Sequence, residues 1–462
     1  MTPSEQTISS SIRPARSHVF GGTLPAIDDR DPRRWVRAIA AIALVLLGAR
    51  IMLPQGIELG FVAAAVLIPV WIPAVRSYRW GWALLGTGLL AAVMGWWLDV
   101  FNQSSRATDS SLFTSTTALL VGGLLGFGLV LWARRVLSES SVGLWFGIGL
   151  VIGITPSSSL FATNPWKFGF AVPLTVIALS LAWKSGRRWL ELIVLAVLTV
   201  ISAVSDARSA FAILLLATVI VAVQLIPRQA GRKFAALKII VGLAGLTAVI
   251  YNLGQALILD GYLGQATEAR SIEQLRTSGS LILGGRPELT ATLALMNEHP
   301  MGFGAGSVPN LSDVVTAKAG MASINYQPDN GYVERYMMGG HFELHSMMGD
   351  LWAHFGIAGL LFLAIAVVVA IWGLATRIAD RRASGMILFV SATSLWGVLF
   401  SPFFSAEPLF MLMLGMLVLP VAGSLHARLN STTSVIGPVH RSPGVNPAAV
   451  STASSADASA AG

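Results

Sequence analysis

Long apolar runs, separated by short basic stretches or by Gly- and Pro-bearing turns, fill most of the chain between residues 35 and 421. They divide into twelve segments, at 35–53, 59–75, 81–98, 112–132, 142–160, 168–183, 192–205, 209–226, 239–259, 351–375, 386–400 and 409–421. Most approach the roughly 20 residues that carry a helix across a hydrocarbon core, and the shorter ones borrow flanking residues. Helix is favoured in such a medium because it satisfies its own backbone hydrogen bonds. Trp35, Trp80, Trp132, Trp183, Trp189 and Trp372 stand at segment ends, where an amphipathic ring prefers the membrane interface. The pattern predicts an all-α, polytopic membrane protein of about 12 transmembrane helices.

Composition agrees with the pattern. With 54% hydrophobic and 12% charged residues and a mean hydropathy of +0.69, the chain has too little polar surface to wrap a soluble core. A net charge of +8 suggests nucleic acid at first sight, but the basic residues lie in short clusters between apolar segments, which excludes a dense nucleic-acid patch. The absence of cysteine excludes disulfides, thiolate metal sites and a cysteine nucleophile.

The basic clusters set an orientation instead, because Lys and Arg in short loops stay on the cytoplasmic side. Alternate loops carry them: Arg76 and Arg79, Arg134 and Arg135, Lys184 with Arg187 and Arg188, the cluster from Arg228 to Lys238, and Arg377 with Arg381 and Arg382. The intervening short loops hold Arg50, Arg106, Lys167 and Arg208. Both termini are therefore expected in the cytoplasm, with the chain in an inner membrane. Residues 1–34 and 424–462 are expected to be disordered cytoplasmic tails, rich in Ser, Pro and small residues. Residues 35–259 would hold nine helices, 260–349 one large extracytoplasmic loop, and 350–423 three more helices.

Charge placement separates carrier from enzyme. Carriers need ionisable groups near the bilayer midplane, and the apolar stretches carry essentially none; Arg37 and Arg50 lie toward the ends of the first and His354 near the outer end of the tenth. His299, His341, His345 and His354, four of the seven histidines, lie in or just after the outer loop. An enzyme working at the outer face fits that distribution best.

Three features of that face carry candidate chemistry. Arg208 opens the eighth apolar segment on the translocated side, where a guanidinium fork and a helix N-terminus suit phosphate; an Arg that snorkels to lipid phosphate or pairs with Asp206 is an even alternative. Arg286 follows Gly284 and Gly285 and precedes Pro287 and the amphipathic run 289–298. Proline at a helix start and Pro300 after it bracket a helix of about three turns, placing Arg286 at an anion-favouring terminus; an ordinary capped loop arginine is the plainer reading. His345 enters the tenth helix and, with an ordinary imidazole pKa of about 6.5, suits a general base, against the plainer reading of a satisfied interfacial histidine. His341 and His345 have metal-pair spacing, but Glu343 breaks the His-Glu-x-x-His order and no third ligand is evident. No metal or other cofactor is expected.

Together these residues resemble the O-antigen ligase and polysaccharide polymerase superfamily, over residues 200–365. Arg208 matches the family's helix-opening arginine, Arg286 its loop arginine, and residues 300–306, with Gly302, Gly304 and Gly306, its Pro-x-Gly-x-Gly-x-Gly element. His345, followed by Gly356 and Gly359, matches the histidine before a Gly-x-x-Gly helix. Ser346 and His354 depart from the Asn and Glu common at those places. The resemblance implies a C-type glycosyltransferase that uses a polyprenyl-diphosphate-linked oligosaccharide as donor and a glycan or glycolipid hydroxyl as acceptor, at the membrane lipid surface, without metal. Arg208 and Arg286 would neutralise the diphosphate and His345 would take the acceptor proton. Gly302, Gly304, Gly306, Tyr332 and Arg335 would shape the sugar groove. A lipid-linked saccharide flippase or polysaccharide exporter is the alternative.

Overall fold

A computed structural model of the chain describes residues 32–226, 236–259, 265–280 and 284–421. The expected tails lie outside these residues, except that the first helix already begins at Pro32. No strand occurs among the described residues.

Every apolar segment falls on helix for most of its length. The first half gives α1 (Pro32–Ala49), α2 (Leu59–Val66), α3 (Ile68–Val75), α4 (Gly81–Asn102), α5 (Ser110–Val136), α6 (Glu139–Ile152), the short α7 (Ser159–Thr163) and α8 (Ala171–Lys184). The next are α9 (Arg188–Val204), α10 (Arg208–Leu225) and α11 (Ala236–Leu259). Segment 59–75 is two helices because Pro69, at the start of α3, has no N–H to continue the ladder from α2. The fifth segment stops early, at Ile152. Within the expected loop lie α12 (Gln265–Ser278), α13 (Glu288–Glu298) and α14 (Leu311–Ala322), followed by α15 (Met347–Ala379), α16 (Gly385–Phe400) and α17 (Phe403–Leu417).

Five helical stretches, at 81–102, 110–136, 166–184, 208–225 and 347–379, are long and apolar enough to cross a membrane by length and composition. Large apolar side chains such as Val93, Val204, Val223 and Val368 stay exposed on the helices, a surface that calls for an apolar solvent. The molecule is an all-α, membrane-embedded protein.

The bundle has two chemically distinct ends. At one, the last turns of α5, α15 and α17 meet the start of α6: Arg134 and Arg377 both bind Glu139, at 2.7 and 2.6 Å, and donate to the carbonyls of Gly415 and Met416 at the close of α17. At the other, Asp350 in the first turn of α15 accepts from Leu344 N at 2.6 Å and from Phe403 N, the first residue of α17, at 2.7 Å. Leu344 immediately precedes His345, so one buried carboxylate ties that histidine's loop to two helices.

Residues 284–346 form a folded cap at this second end, with its own core of Ala291, Leu295, Ala317, Met321, Val333 and Met337. Phe303 stacks on Phe342 at 4.1 Å and meets Trp352 of α15 edge-on at 5.4 Å. Burying each such ring stabilises by about 1.5–3 kcal/mol, which lets so short a cap hold a fixed shape.

Helix α15 is interrupted at Gly356, whose φ of 60° and ψ of −148° are non-helical. The break frees the carbonyl of Ala353, and the backbone N–H groups of Phe303 and Gly304 occupy it at 2.8 and 3.0 Å. Residues 300–307 thus enter the bundle as a turn that completes a broken helix. The apolar runs themselves carry essentially no ionisable group, but the helices extend past them and bring in acidic residues one or two positions outside. Asp99 of α4, Glu191 of α9, Asp350 of α15 and Glu407 of α17 are all buried, because each helix extends beyond the apolar run that marked it.

Candidate functional site

Gly302 and Gly304 take φ of +86° and +126°, which favour glycine, and neither has room for a side chain. A Cβ on Gly302 would lie 2.4 Å from the Trp352 carbonyl, on Gly304 2.3 Å from Asp99 Oδ1, and on Gly306 2.8 Å from Phe113 Cβ. Asp99 locks the turn, accepting from Gly306 N at 2.8 Å and Ser307 Oγ at 3.0 Å, and Asn102 donates to the Phe303 carbonyl at 2.7 Å. The three glycines, expected to shape a sugar groove, are buried against α4, α5 and α15. There the backbone packs closely.

Beside the turn, Arg106 pairs with Asp313. The Nη1–Oδ2 and Nη2–Oδ1 contacts are both made, the second at 2.7 Å, and both side chains are buried. The guanidinium lies 4.5 Å from the Phe303 ring centre, and its Nη2 donates to His299 Nε2 at 3.2 Å. A guanidinium donates but does not accept, so His299, when neutral, carries its proton on Nδ1. In the sequence Arg106 is one charge in a short loop, and nothing in its neighbours reveals a partner 207 positions away.

Arg286, Tyr332, Arg335 and His345 lie in the cap. His345 has φ of +53°, an uncommon left-handed conformation for a non-glycine residue. Its Nδ1 lies 3.0 Å from the Glu343 carbonyl, which accepts and so fixes the neutral tautomer with Nδ1 protonated and Nε2 free to take a proton. Nε2 lies 3.9 Å from Glu343 Oε1, a carboxylate placed to balance an imidazolium. The His345 ring is tilted against Tyr332 at 5.8 Å. Tyr332 in turn donates to Glu288 Oε1 at 2.5 Å, and Arg286 lies within electrostatic reach of the same phenol. Burial, then the charge and hydrogen bond of Glu288, push the Tyr332 phenol far above its usual value, with Arg286 opposing, so the hydroxyl stays a donor at neutral pH.

Arg286, Glu288, Tyr332 and His345 are thus one cluster. Arg286 stands two residues before α13, beside the helix N-terminus as expected, and its side chain makes no hydrogen bond or ion pair among the described residues. Glu288 is buried, with Oε2 left unpartnered. Arg335 and Tyr336 lie exposed on the same turn as Tyr332, and Tyr336 packs 5.5 Å from it. Arg208 opens α10 as expected and reaches this end through α12: its Nη1 donates to Ser271 Oγ at 3.3 Å. One to two turns further along α12, the Gln274 carbonyl and Ser278 Oγ press on Gly284, where a Cβ would lie 2.7 and 2.4 Å away.

His341 and His345 do not share a helix. The Glu343 carboxylate lies 3.3 Å from His341 Nε2, holding that imidazole's pKa above its ordinary value and its own below. No group of three or more His, Cys, Asp or Glu side chains is arranged around a common metal position among the described residues. His354, a point of departure from the family pattern, is buried with Nε2 3.0 Å from the Phe342 carbonyl and Nδ1 3.4 Å from that of Gly304. It ties the cap to α15. Glu343, Asp350, Asp99 and Arg106 were all missed in the sequence because their roles arise from tertiary pairing and no local spacing marks them.

Comparison of the chain with models of protein families, with curated proteins and with solved structures yields no match.

Proposed function

We propose that the chain is an integral membrane glycosyltransferase of the O-antigen ligase or polysaccharide polymerase kind, with twelve spans and both termini in the cytoplasm. Its donor is a polyprenyl-diphosphate-linked oligosaccharide and its acceptor a glycan or glycolipid hydroxyl on the extracytoplasmic side of a bacterial inner membrane. The observation that carries this reading is the juxtaposition of an uncommitted arginine, Arg286, with a histidine whose tautomer leaves Nε2 open, joined through Tyr332.

The acceptor oxygen attacks the anomeric carbon while its proton passes to His345 Nε2, and Glu343 balances the imidazolium that results. The bond from that carbon to the diphosphate breaks, its electron pair leaves with the phosphate oxygen, and configuration inverts. Arg286, with Arg208 across α12, offsets the charge that grows on the leaving group. Glu288 repels an anion on its own side, so the diphosphate approaches Arg286 from the opposite side.

Transfer from a defined polyprenyl-diphosphate oligosaccharide by the purified, reconstituted protein tests the reading. Glycosidic product of inverted configuration, formed in the presence of a chelator, is the expected result. A flippase or exporter is the second reading, favoured by the carboxylates buried along the helices. Movement of intact donor across vesicles without glycosidic bond formation would establish it in place of the first.

A further inference from the structure

Among the four carboxylates buried in α4, α9, α15 and α17, three are engaged. Asp99 and Asp350 accept backbone N–H groups, and Glu191 accepts from Gly385 N at 2.6 Å with Arg188 3.6 Å away. Glu407 differs. It lies in the second turn of α17, is 2% exposed, and makes no hydrogen bond or ion pair among the described residues. Its Oε1 presses on α5, where a Cβ on Gly123 would lie 2.6 Å away, and its helix neighbours Pro408, Phe410 and Met411 are buried and apolar.

The charged groups that act on Glu407 come from the turn between α1 and α2: Arg50 and Glu58. Arg50 lies over the Phe404 ring at 4.1 Å, about one turn before Glu407, and its Nε donates to Glu58 Oε1 at 2.9 Å. Glu58 is 1% exposed with Oε2 buried and unpartnered, and Arg50 Nη2 is likewise buried and unpartnered. From the other packed elements, α15 presents Asp350, whose two oxygens are committed to backbone N–H groups. Helix α16 has no titratable residue, and the charges of α5 lie in its far, last turn.

Two carboxylates against one guanidinium leave one excess negative charge in a largely buried site, a state whose desolvation cost is high without a further cation. One proton removes it. Glu58 already has a donor in Arg50, so Glu407 is the group that takes the proton. We propose that Glu407 is a reversible proton-binding site at the capped end of the bundle, with the Arg50–Glu58 pair as its counter-charge. When the proton leaves, the Glu407 carboxylate competes with Glu58 for the uncommitted Nη2 of Arg50, which draws α17 toward the turn between α1 and α2. The Arg50 side chain, 19% exposed, links the site to the surface. The proposal stands independently of glycosyl transfer.

Dicyclohexylcarbodiimide, which modifies protonated carboxyls in apolar surroundings, tests it on the purified full chain. Peptide mass spectrometry should find an adduct on Glu407 that declines as pH is raised and is absent in Glu407→Gln. Glu58→Gln should reduce labelling of Glu407 severalfold at neutral pH, because Arg50 is then released to hold Glu407 ionised. In the folded Glu407→Gln protein the pH dependence of Tm should flatten; wild-type labelling decides the matter if that variant misfolds. Absence of an adduct at every pH, labelling indifferent to both pH and Glu58→Gln, or protection by sodium at fixed pH, which would make the ligand a metal cation, overturns the assignment.

Discussion

Residues 300–307 and 332–346 belong to the same cap and meet opposite fates. The first stretch spends its polar groups on the protein: Phe303 and Gly304 N–H on Ala353, Gly306 N–H and Ser307 Oγ on Asp99, the Phe303 carbonyl on Asn102. The second, with Arg286 and Glu288 beside it, keeps groups in reserve. The side chains of Arg286 and Arg335 have no hydrogen-bond or ion-pair partner among the described residues, and Glu288 Oε2 is buried without a partner. A satisfied polar network fixes a shape, and an unsatisfied one beside it is where a ligand gains most. Glycine richness marks the first stretch in the sequence, yet the polar groups without partners lie beside the second.

The sharpest way to break this contrast is His345→Ala. Transfer should fall on the order of a hundred- to ten-thousand-fold while donor binding is preserved, because a general base acts on the acceptor proton; equal losses in both would make His345 a scaffold residue like those of the turn. On the scaffold side, Asp313→Ala strands the buried Arg106. It should lower stability by about 3–5 kcal/mol, read as a drop in Tm in detergent, and an unchanged Tm would mean that the turn is not held from this side.

Arg286→Ala comes next. Loss of a charge-assisted contact of about 1.5–3 kcal/mol corresponds to roughly ten- to a hundredfold weaker donor binding, with little change in Tm, and Arg286→Lys should recover part of it. A large drop in Tm would show that Arg286 serves the fold. The smallest effect concerns His341. Its pKa is raised by Glu343, so their attraction contributes in full below the unfolded value of about 6.5 and is lost as pH rises through the folded value. NMR titration of Glu343→Gln should show the His341 pKa moving down, and an unmoved titration would detach Glu343 from His341.

Helix placement was legible in the sequence to the extent that it rests on apolar run length, a local property. Arg208 at the first residue of α10 and the helix at 288–298 followed from breaks in periodicity and from proline chemistry. Two features were not legible: the division of 59–75 at Leu67 and the interruption of α15 at Gly356. Glycine and proline are tolerated inside membrane helices, so a break is decided by what stands ready to take the freed backbone groups. At the site, Arg286 and His345 were visible as residue types in suggestive places. Glu343, whose carbonyl orients His345 and whose carboxylate stands beside His341 and His345, was visible only as an interruption of a metal motif.

The docking of the 300–307 turn also imposes an order of assembly. Asp99 belongs to an early helix, and Gly306, which satisfies it, lies 207 positions later in the chain; Ala353, whose carbonyl the turn occupies, comes later still. A ribosome feeding this chain into a membrane therefore delivers α4 with its carboxylate unanswered long before the partners emerge. The contacts of Asp99 and Ala353 can therefore form only after the start of α15 has been delivered, so the capped end is the part of the bundle that closes last.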